Sequence, residues 1–319
     1  MDSWLSVIGG LILLLLGAEL LVRGAVSLAI RVNMSPTTAG LTIVALGTSL
    51  PELMITVQDQ WSGSGNIAVG GIIGSNIFNI GAILGLSAVI FPVSIQSRTL
   101  KLEHPFLLLA TGILGVMIWD GRITRVEGYI LLSLTASFII TLLSRVHSSA
   151  AKKRAAQVKE VVSEFQPTNR PLYLDVFYII AAIFCLHFGA ELSVQGARAL
   201  ALAWGWSEYL IGLTIVALGT SAPELAVSII AALQKRTEIA IGNIIGSCIF
   251  NITFVLGVGA AMGDLPIREE VITHDIWWLL GLGILMVPLM VRGRSLGRVD
   301  GCLLILAFVV YYYGVIVGY

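Results

Sequence analysis

Two glutamates lie inside long apolar stretches of this chain, each directly after a proline. Glu52 follows Pro51, and Glu224 follows Pro223. A carboxylate at membrane depth costs about 2.5–3.5 kcal/mol on insertion scales, so such a residue needs a partner or a function. Proline supplies no N–H and disrupts the hydrogen bond to the carbonyl four residues back. We therefore expect each helix to break beside its glutamate and to free backbone oxygens toward an internal cavity.

Helical spacing places further oxygen atoms beside each glutamate. Thr48 shares the helix face of Glu52, and Ala45 lies one turn earlier on that face. The second stretch repeats the pattern, and the following helix of each half adds a serine and an asparagine four residues apart. Carboxylate, hydroxyl and amide oxygens without thiolate or imidazole select hard cations, namely calcium, sodium, magnesium or manganese. The added residues are Ala217, Thr220 and Glu224, then Ser75 with Asn79, and Ser247 with Asn251.

The composition indicates what kind of protein must position these groups. Of the 319 residues, 57% are hydrophobic and 12% are charged, and the mean hydropathy is +0.93. Soluble domains carry roughly 25% charged residues. The formal net charge is zero, so we expect no nucleic-acid partner. The apolar residues occur in blocks long enough to span a bilayer, which takes about 20 residues, and the lipid bilayer is the expected surrounding.

We predict an all-α integral membrane protein with ten transmembrane helices. The hydrophilic stretch 146–171 divides the helices into two groups of five. We therefore expect a first five-helix repeat at 1–145, a linker at 146–171 and a second five-helix repeat at 172–319. The apolar segments lie near 4–30, 36–58, 67–92, 102–119, 126–144, 172–200, 208–232, 238–262, 276–291 and 298–317.

The two halves are copies of one another. With a constant shift in numbering, Gly17 to Ile80 aligns without a gap on Gly189 to Ile252. GLTIVALGTSLPEL is matched by GLTIVALGTSAPEL, and GGIIGSNIFNI is matched by GNIIGSCIFNI. Because five crossings is an odd number, the second half must enter the membrane from the opposite side. This is the inverted repeat that many transporters use to alternate access to a site at the midplane.

The distribution of basic residues predicts the orientation. Cytoplasmic loops carry an excess of Lys and Arg. If the linker is cytoplasmic, most of the 19 basic residues also lie inside, so both termini should be extracellular or periplasmic in a multi-pass protein of the cell (inner) membrane. The four exceptions would be Arg122, Arg125, Arg198 and Arg268.

The paired motifs resemble the alpha repeats of the sodium/calcium exchanger family. GTSLPE and GTSAPE are each followed by a helix with the pattern GS-x-x-x-N, and the match extends over both repeats. The resemblance implies electrogenic antiport of sodium for calcium by alternating access, through a central site of four ion positions. It implies that the two glutamates bind both ions, that hydroxyl and amide side chains line the site, and that two alanines contribute backbone carbonyls. The matching residues are Glu52, Glu224, Thr48, Thr220, Ser49, Ser221, Ser75, Ser247, Asn79, Asn251, Ala45 and Ala217.

One position departs from the family pattern. Many members have an aspartate where this chain has Asn251, so both symmetric positions, 79 and 251, are amides here. The site then has two carboxylates, which one Ca²⁺ or two Na⁺ neutralise. The sodium stoichiometry is therefore left open. The alternatives are an antiporter coupled to protons through the same two glutamates, a potassium-dependent cation antiporter and, less favoured, a cation channel.

Other functional classes lack their motifs. The chain has no G-x-x-x-x-G-K-[ST] motif of a nucleotide-driven pump, no H-E-x-x-H and no G-x-S-x-G. We therefore expect a transporter and not an enzyme. The expected ligands are the transported ions Ca²⁺ and Na⁺, with no cofactor, and no protein partner is evident.

Overall fold

The computed structural model describes residues 3–32, 34–62, 68–146, 171–206, 215 and 217–317. In this part of the chain, nine helices are long and apolar enough to cross a membrane. Nearly all of the predicted linker, and the start of the predicted segment 208–232, lie outside the described residues. The helices are α1 (Ser3–Arg31), α2 (Pro36–Trp61), α3 (Ala68–Ile90), α4 (Thr99–Asp120), α5 (Arg125–Val146), α6 (Leu172–Ala203), α7 (described as Ala217–Thr220 and Ala222–Leu233), α8 (Thr237–Met262), α9 (Val271–Gly293) and α10 (Arg298–Val317).

Short strand pairs join the two halves at the ends of the bundle. Strand β1 (Val93–Ser94) pairs antiparallel with β4 (Ser295–Leu296), and β2 (Arg122–Ile123) pairs antiparallel with β3 (Leu265–Pro266). The number of membrane crossings between two paired strands must be even, because the strands lie on the same side. Between β1 and β4 lie α4, α5, α6, α8 and α9, so α7 must be the sixth crossing, and the helices total ten.

The central helices of the bundle are α3 and α8. Within their most apolar stretches, 78% of the residues of α3 and 83% of those of α8 are buried, against 17% for α10. The outer helices expose large apolar side chains such as Leu306 and Val309. A contiguous apolar surface of this kind is expected where a protein faces lipid. The two central helices are therefore the elements best placed to carry polar groups away from lipid.

Helices α1 and α6 pack against each other backbone to backbone. Glycines recur every seven residues on both helices, with Gly10 and Gly17 on α1 and Gly189 on α6. A Cβ atom on Gly189 would lie 2.8 Å from the backbone nitrogen of Leu14, which leaves no room for a side chain. Small residues allow this close approach between membrane helices. The two helices thus form one closely joined pair.

This pair has an apolar core largely of its own. Buried side chains of α1, α6 and α7 make up most of one cluster, which includes Leu21, Leu186 and Val227 and to which α2 and α8 add a few residues. A separate and larger cluster joins α3, α4, α8 and α9. One end of the pair is closed by an ion pair of 2.6 Å between Arg31 and the buried Asp175. The α1–α6 pair therefore packs mainly outside the larger core, to which α2 and α8 connect it.

Candidate cation-binding site

Both motif helices break where the sequence predicts a break. In α2 the first helical part ends at Thr48, and Ser49 has φ −81° and ψ 1°. The second part begins at Leu50, so that Glu52 lies in its first turn. Proline is tolerated in a first turn, because its missing N–H would have no partner there. The carboxylate thus lies at a helix N-terminus, where the helix dipole favours negative charge.

The second half repeats this local structure. Ser221 has φ −90° and ψ 10°, and the following helix Ala222–Leu233 carries Glu224 in its first turn. The inverted repeat brings the two breaks together in the middle of the bundle, because the central helices α3 and α8 pack against both of them. Two glutamates that are far apart in the sequence are thereby placed at one site.

The two carboxylates are buried with few compensating interactions. Glu52 is 4% exposed and Glu224 is 0% exposed. Among the described residues, neither carboxylate oxygen of Glu224 has a hydrogen-bond partner, and Oε2 of Glu52 has none. The negative charges of the two groups also interact unfavourably with each other. A buried charge is stable only when it is paired, hydrogen-bonded or bound to a cation, so this pair is suited to hold a cation.

Hydroxyl contacts connect each broken helix to the central helix of the other half. The Oγ atom of Ser75 in α3 lies 2.7 Å from Oγ of Ser221 and donates to Oε1 of Glu52 at 3.3 Å. The Oγ1 atom of Thr48 in α2 lies 3.2 Å from Oγ of Ser247 in α8. Both hydroxyl pairs cross between the repeats. Neutral oxygens from both halves therefore lie beside the carboxylates.

The two predicted asparagines occupy equivalent places in α3 and α8. Asn79 begins the π-helical turn Asn79–Leu84, and Asn251 begins the π-helical turn Asn251–Val255. Single π-helical turns occur frequently at functional sites. Both side chains are fully buried. Within the described ranges, neither amide atom of Asn79 has a hydrogen-bond partner, nor does Oδ1 of Asn251, so these atoms remain available to a ligand.

The remaining predicted residues differ in their surroundings. The carbonyl oxygen of Ala45 accepts from the N–H of Ser49 at 3.0 Å and lies 3.3 Å from the hydroxyl oxygen of Thr48. In the part of the chain that the structure describes, the buried hydroxyl of Ser49 has no partner. Ala217 and Thr220 begin and end the short helix before the second break, and Thr220 is only partly buried. The Ala45 carbonyl thus also stabilises the end of its own helix.

Two further asparagines, which were not predicted as site residues, belong to the same polar cluster. Oδ1 of Asn243 accepts from Thr48 at 3.2 Å, and its Nδ2 donates to Ser228 at 3.0 Å. In α3, the side chain of Asn76 donates to the carbonyl of Cys248 and accepts from Asn251, and both of these partners lie in α8. The available sequence signal was the difference between the repeats, because these residues occupy the two positions at which GGIIGSNIFNI and GNIIGSCIFNI differ. Asn243 is opposite Gly71, and Asn76 is opposite Cys248.

The oxygen donors gathered here are of the kind that suits a hard cation. The described residues contain no group of three or more His, Cys, Asp or Glu side chains that could hold a metal ion. The site instead combines two carboxylates with hydroxyl and amide oxygens, which suit calcium and sodium better than zinc or copper. An inverted repeat with such a site at its centre defines a secondary transporter for cations.

Comparison with known proteins identifies the family. The family model described as sodium/calcium exchanger protein matches residues 2–144 and 174–317. The chain therefore belongs to the sodium/calcium exchanger family. It is a multi-pass membrane antiporter of the cation/calcium type and not an enzyme.

Individual relatives agree with this assignment. The chain is 38% identical over 313 residues to the putative antiporter CaxA of Alkalimonas amylolytica, with 96% of each chain covered. It is 24% identical to the sodium/calcium exchanger MaX1 of Methanosarcina acetivorans, with 97% of each covered. A structure of the sodium-calcium exchanger NCX_Mj, soaked with 2.5 mM Na⁺ and 0.1 mM Ca²⁺, matches with a TM-score of 0.82 at 31% identity and covers 97% of this chain and 96% of that one. The predicted fold of two inverted five-helix repeats is confirmed.

Proposed function

We propose that this chain exchanges Na⁺ for Ca²⁺ by alternating access at a site between Glu52 and Glu224. The observation that carries the proposal is the buried carboxylate pair, whose oxygens, apart from Oε1 of Glu52, have no hydrogen-bond partner within the described part of the chain. One Ca²⁺ or two Na⁺ would neutralise the pair. The relative MaX1 is named a sodium/calcium exchanger, which supports this choice of ions.

Neutral oxygens would complete the coordination of the ions. Ca²⁺ takes about six to eight oxygen ligands, more than two carboxylates supply. Side-chain hydroxyls, amide oxygens and backbone carbonyls around the carboxylates are of the required kind. The proposed ligand set is Glu52, Glu224, Thr48, Thr220, Ser49, Ser221, Ser75, Ser247, Asn79 and Asn251, with the backbone carbonyls of Ala45 and Ala217.

The same neutral oxygens favour sodium over protons as the coupling ion. A proton needs only one carboxylate oxygen, whereas Na⁺ needs a shell of several oxygen ligands. Ser75 and Ser221 form one hydroxyl pair beside the carboxylates, and Thr48 and Ser247 form another. In the proton-coupled alternative, the glutamates would carry the protons and these hydroxyls would serve calcium alone.

Coupling would follow from the cost of moving an empty site. Two unpaired carboxylates in an apolar surrounding are unfavourable, so the protein would change its accessible side only when loaded with calcium or with sodium. The α1–α6 pair is the candidate for the moving gate, because its buried side chains belong to a smaller apolar cluster than the one that holds α3, α4 and α9, with α8 contributing to both.

We also propose the placement of the chain in the membrane. The two repeats would occupy 1–145 and 172–319, with the linker 146–171 in the cytoplasm and both termini extracellular or periplasmic. The family model matches 2–144 and 174–317, which supports this division. The distribution of basic residues supports the orientation.

The decisive experiment is calcium uptake into vesicles that contain the purified protein. The vesicles are loaded with Na⁺, and radioactive calcium is added outside at clamped pH. We expect uptake that depends on the outward sodium gradient and that is lost in vesicles loaded with K⁺ or choline. Uptake that ignores sodium but follows a pH gradient would overturn the sodium assignment in favour of the proton-coupled alternative. Uptake that is supported by K⁺ loading would indicate potassium coupling.

A further inference from the structure

We propose that Asn76 is a positioning residue that holds the amide oxygen of Asn251 toward the transported ion, an inference that rests on the function proposed above. Asn76 is fully buried in α3. Its Nδ2 donates to the backbone carbonyl of Cys248 at 3.0 Å, and its Oδ1 accepts from Nδ2 of Asn251 at 3.1 Å. Asn76 is therefore not a ligand itself but links the backbone of α8 to a proposed ligand.

The direction of each amide follows from the chemistry of its partner. A backbone carbonyl can only accept, so Asn76 must turn its NH₂ group toward Cys248. Its oxygen then faces Asn251, which must present its own NH₂ group in return. That NH₂ group also lies 3.5 Å from Oγ of Ser75. The oxygen of Asn251 is left pointing away from these partners, buried and without a hydrogen bond among the described residues.

The equivalent amide of the first repeat, Asn79, has only a weaker partner in the same place. The position that corresponds to Asn76 in the second half is Cys248, and a thiol is only a weak donor and a weak acceptor. The Sγ atom of Cys248 lies 3.9 Å from the carbonyl oxygen of Asn76. Neither amide atom of Asn79 is hydrogen-bonded within the described ranges. The site thus combines one amide that is held by a strong amide partner with one amide whose neighbour at the equivalent position is a thiol.

The arrangement also explains why position 251 suits an amide in this chain. An aspartate there would direct a carboxylate oxygen at Oδ1 of Asn76, and two acceptors at this distance repel each other. Asn76 could turn to donate to the aspartate only by giving up its bond to the carbonyl of Cys248. Asn76 and Asn251 are therefore a matched pair that keeps the number of carboxylates in the site at two.

A double-mutant cycle tests the pair. The variants are Asn76→Ala, Asn251→Asp and the double variant, and the readout is the calcium concentration for half-maximal uptake, together with the maximal rate per folded protein. Loss of an outer partner of a metal ligand costs about 10–100-fold in affinity. We expect Asn76→Ala to raise the half-saturating calcium concentration about tenfold with little change in the maximal rate. In the Asn251→Asp background, the same truncation should cause no loss or should improve affinity, because both carboxylate oxygens can bind and the repulsion is gone.

Asn243→Ala is the matched control. It also removes a buried asparagine with two side-chain hydrogen bonds, but those bonds go to Thr48 and Ser228. Its effect should be equal in the wild-type and Asn251→Asp backgrounds. The positioning role is overturned if Asn76→Ala leaves calcium affinity unchanged, or if it lowers affinity equally on both backgrounds, as a packing defect would. The cycle measures only calcium saturation, so it tests the role of Asn76 whichever ion drives uptake. A wild-type protein that takes up no calcium would instead contradict both this proposal and the proposed function.

Discussion

At the scale of single residues, two buried and unpaired carboxylates make the empty site costly. Glu52→Gln or Glu224→Gln should therefore raise the melting temperature in cation-free buffer, because a neutral amide is cheaper to bury than a charge. Either change should also abolish sodium-dependent calcium uptake and the stabilisation by calcium. In the wild-type protein that stabilisation should reach about 2.7 kcal/mol at a hundredfold excess over Kd. Thermal unfolding in detergent with and without calcium, run beside the uptake assay, measures all three effects.

Glu269→Gln is the control for this prediction. Glu269 is an exposed carboxylate just before α9, so its replacement should leave uptake and stabilisation by calcium as in the wild type. If both site variants kept the calcium-induced rise in melting temperature, the carboxylate pair could not be the calcium site.

Sequence spacing predicted the site residues that share one helix face and missed those that act across the repeats. Thr48 and Glu52 are four apart in the sequence, and this spacing proposed both residues together, although the helix breaks between them at Ser49. Asn243 reaches Thr48 from the opposite half of the chain. Such a contact depends on how α8 packs against α2, and the spacing of residues within either helix gives no information about that packing. The first repeat has Gly71 where the second has Asn243, and this difference marked the position. It did not reveal that Asn243 contacts Thr48.

At the scale of elements, hydropathy located the helices but not their polar ends. Helix α4 begins at Thr99 and α9 at Val271, a few residues before the predicted starts at 102 and 276. Each begins with a π-helical turn that includes charged residues, so hydropathy falls while the backbone remains helical. The four strands were not predicted, because a two-residue strand has no periodicity to detect.

The close packing of α1 on α6 predicts that alanine has different effects on stability at two adjacent glycines. A Cβ on Gly10 would lie 2.6 Å from the backbone nitrogen of Ser193, whereas a Cβ on Gly9 would lie 3.5 Å from a methyl carbon of Leu192. Both Gly→Ala changes gain the same helix propensity of about 1 kcal/mol. Overpacking costs about 1–3 kcal/mol, so Gly10→Ala should lower the melting temperature and Gly9→Ala should not. Equal melting temperatures for the two variants would show that the helices are not in backbone contact.

At the scale of the whole molecule, the inverted repeat places equivalent parts on opposite sides of the membrane. The pair β1–β4 follows α3 of the first half and precedes α10 of the second, whereas β2–β3 precedes α5 and follows α8. Each pair ties one half to the other at its own end of the bundle. The two halves are thus fastened together at both membrane surfaces around the carboxylate site, while the α1–α6 pair packs in a separate cluster.

The orientation of this assembly is open to a direct test with two cysteines. Arg268 and Arg292 are exposed residues at the two ends of α9, so they lie on opposite sides of the membrane. Single variants Arg268→Cys and Arg292→Cys are treated with a membrane-impermeant maleimide in right-side-out vesicles, and the unaltered chain, whose three cysteines lie within helices, gives the background. If the linker is cytoplasmic, Arg268→Cys should react at once and Arg292→Cys only after permeabilisation. The reverse result would place the linker outside, and reaction of both variants in sealed vesicles would contradict a transmembrane α9.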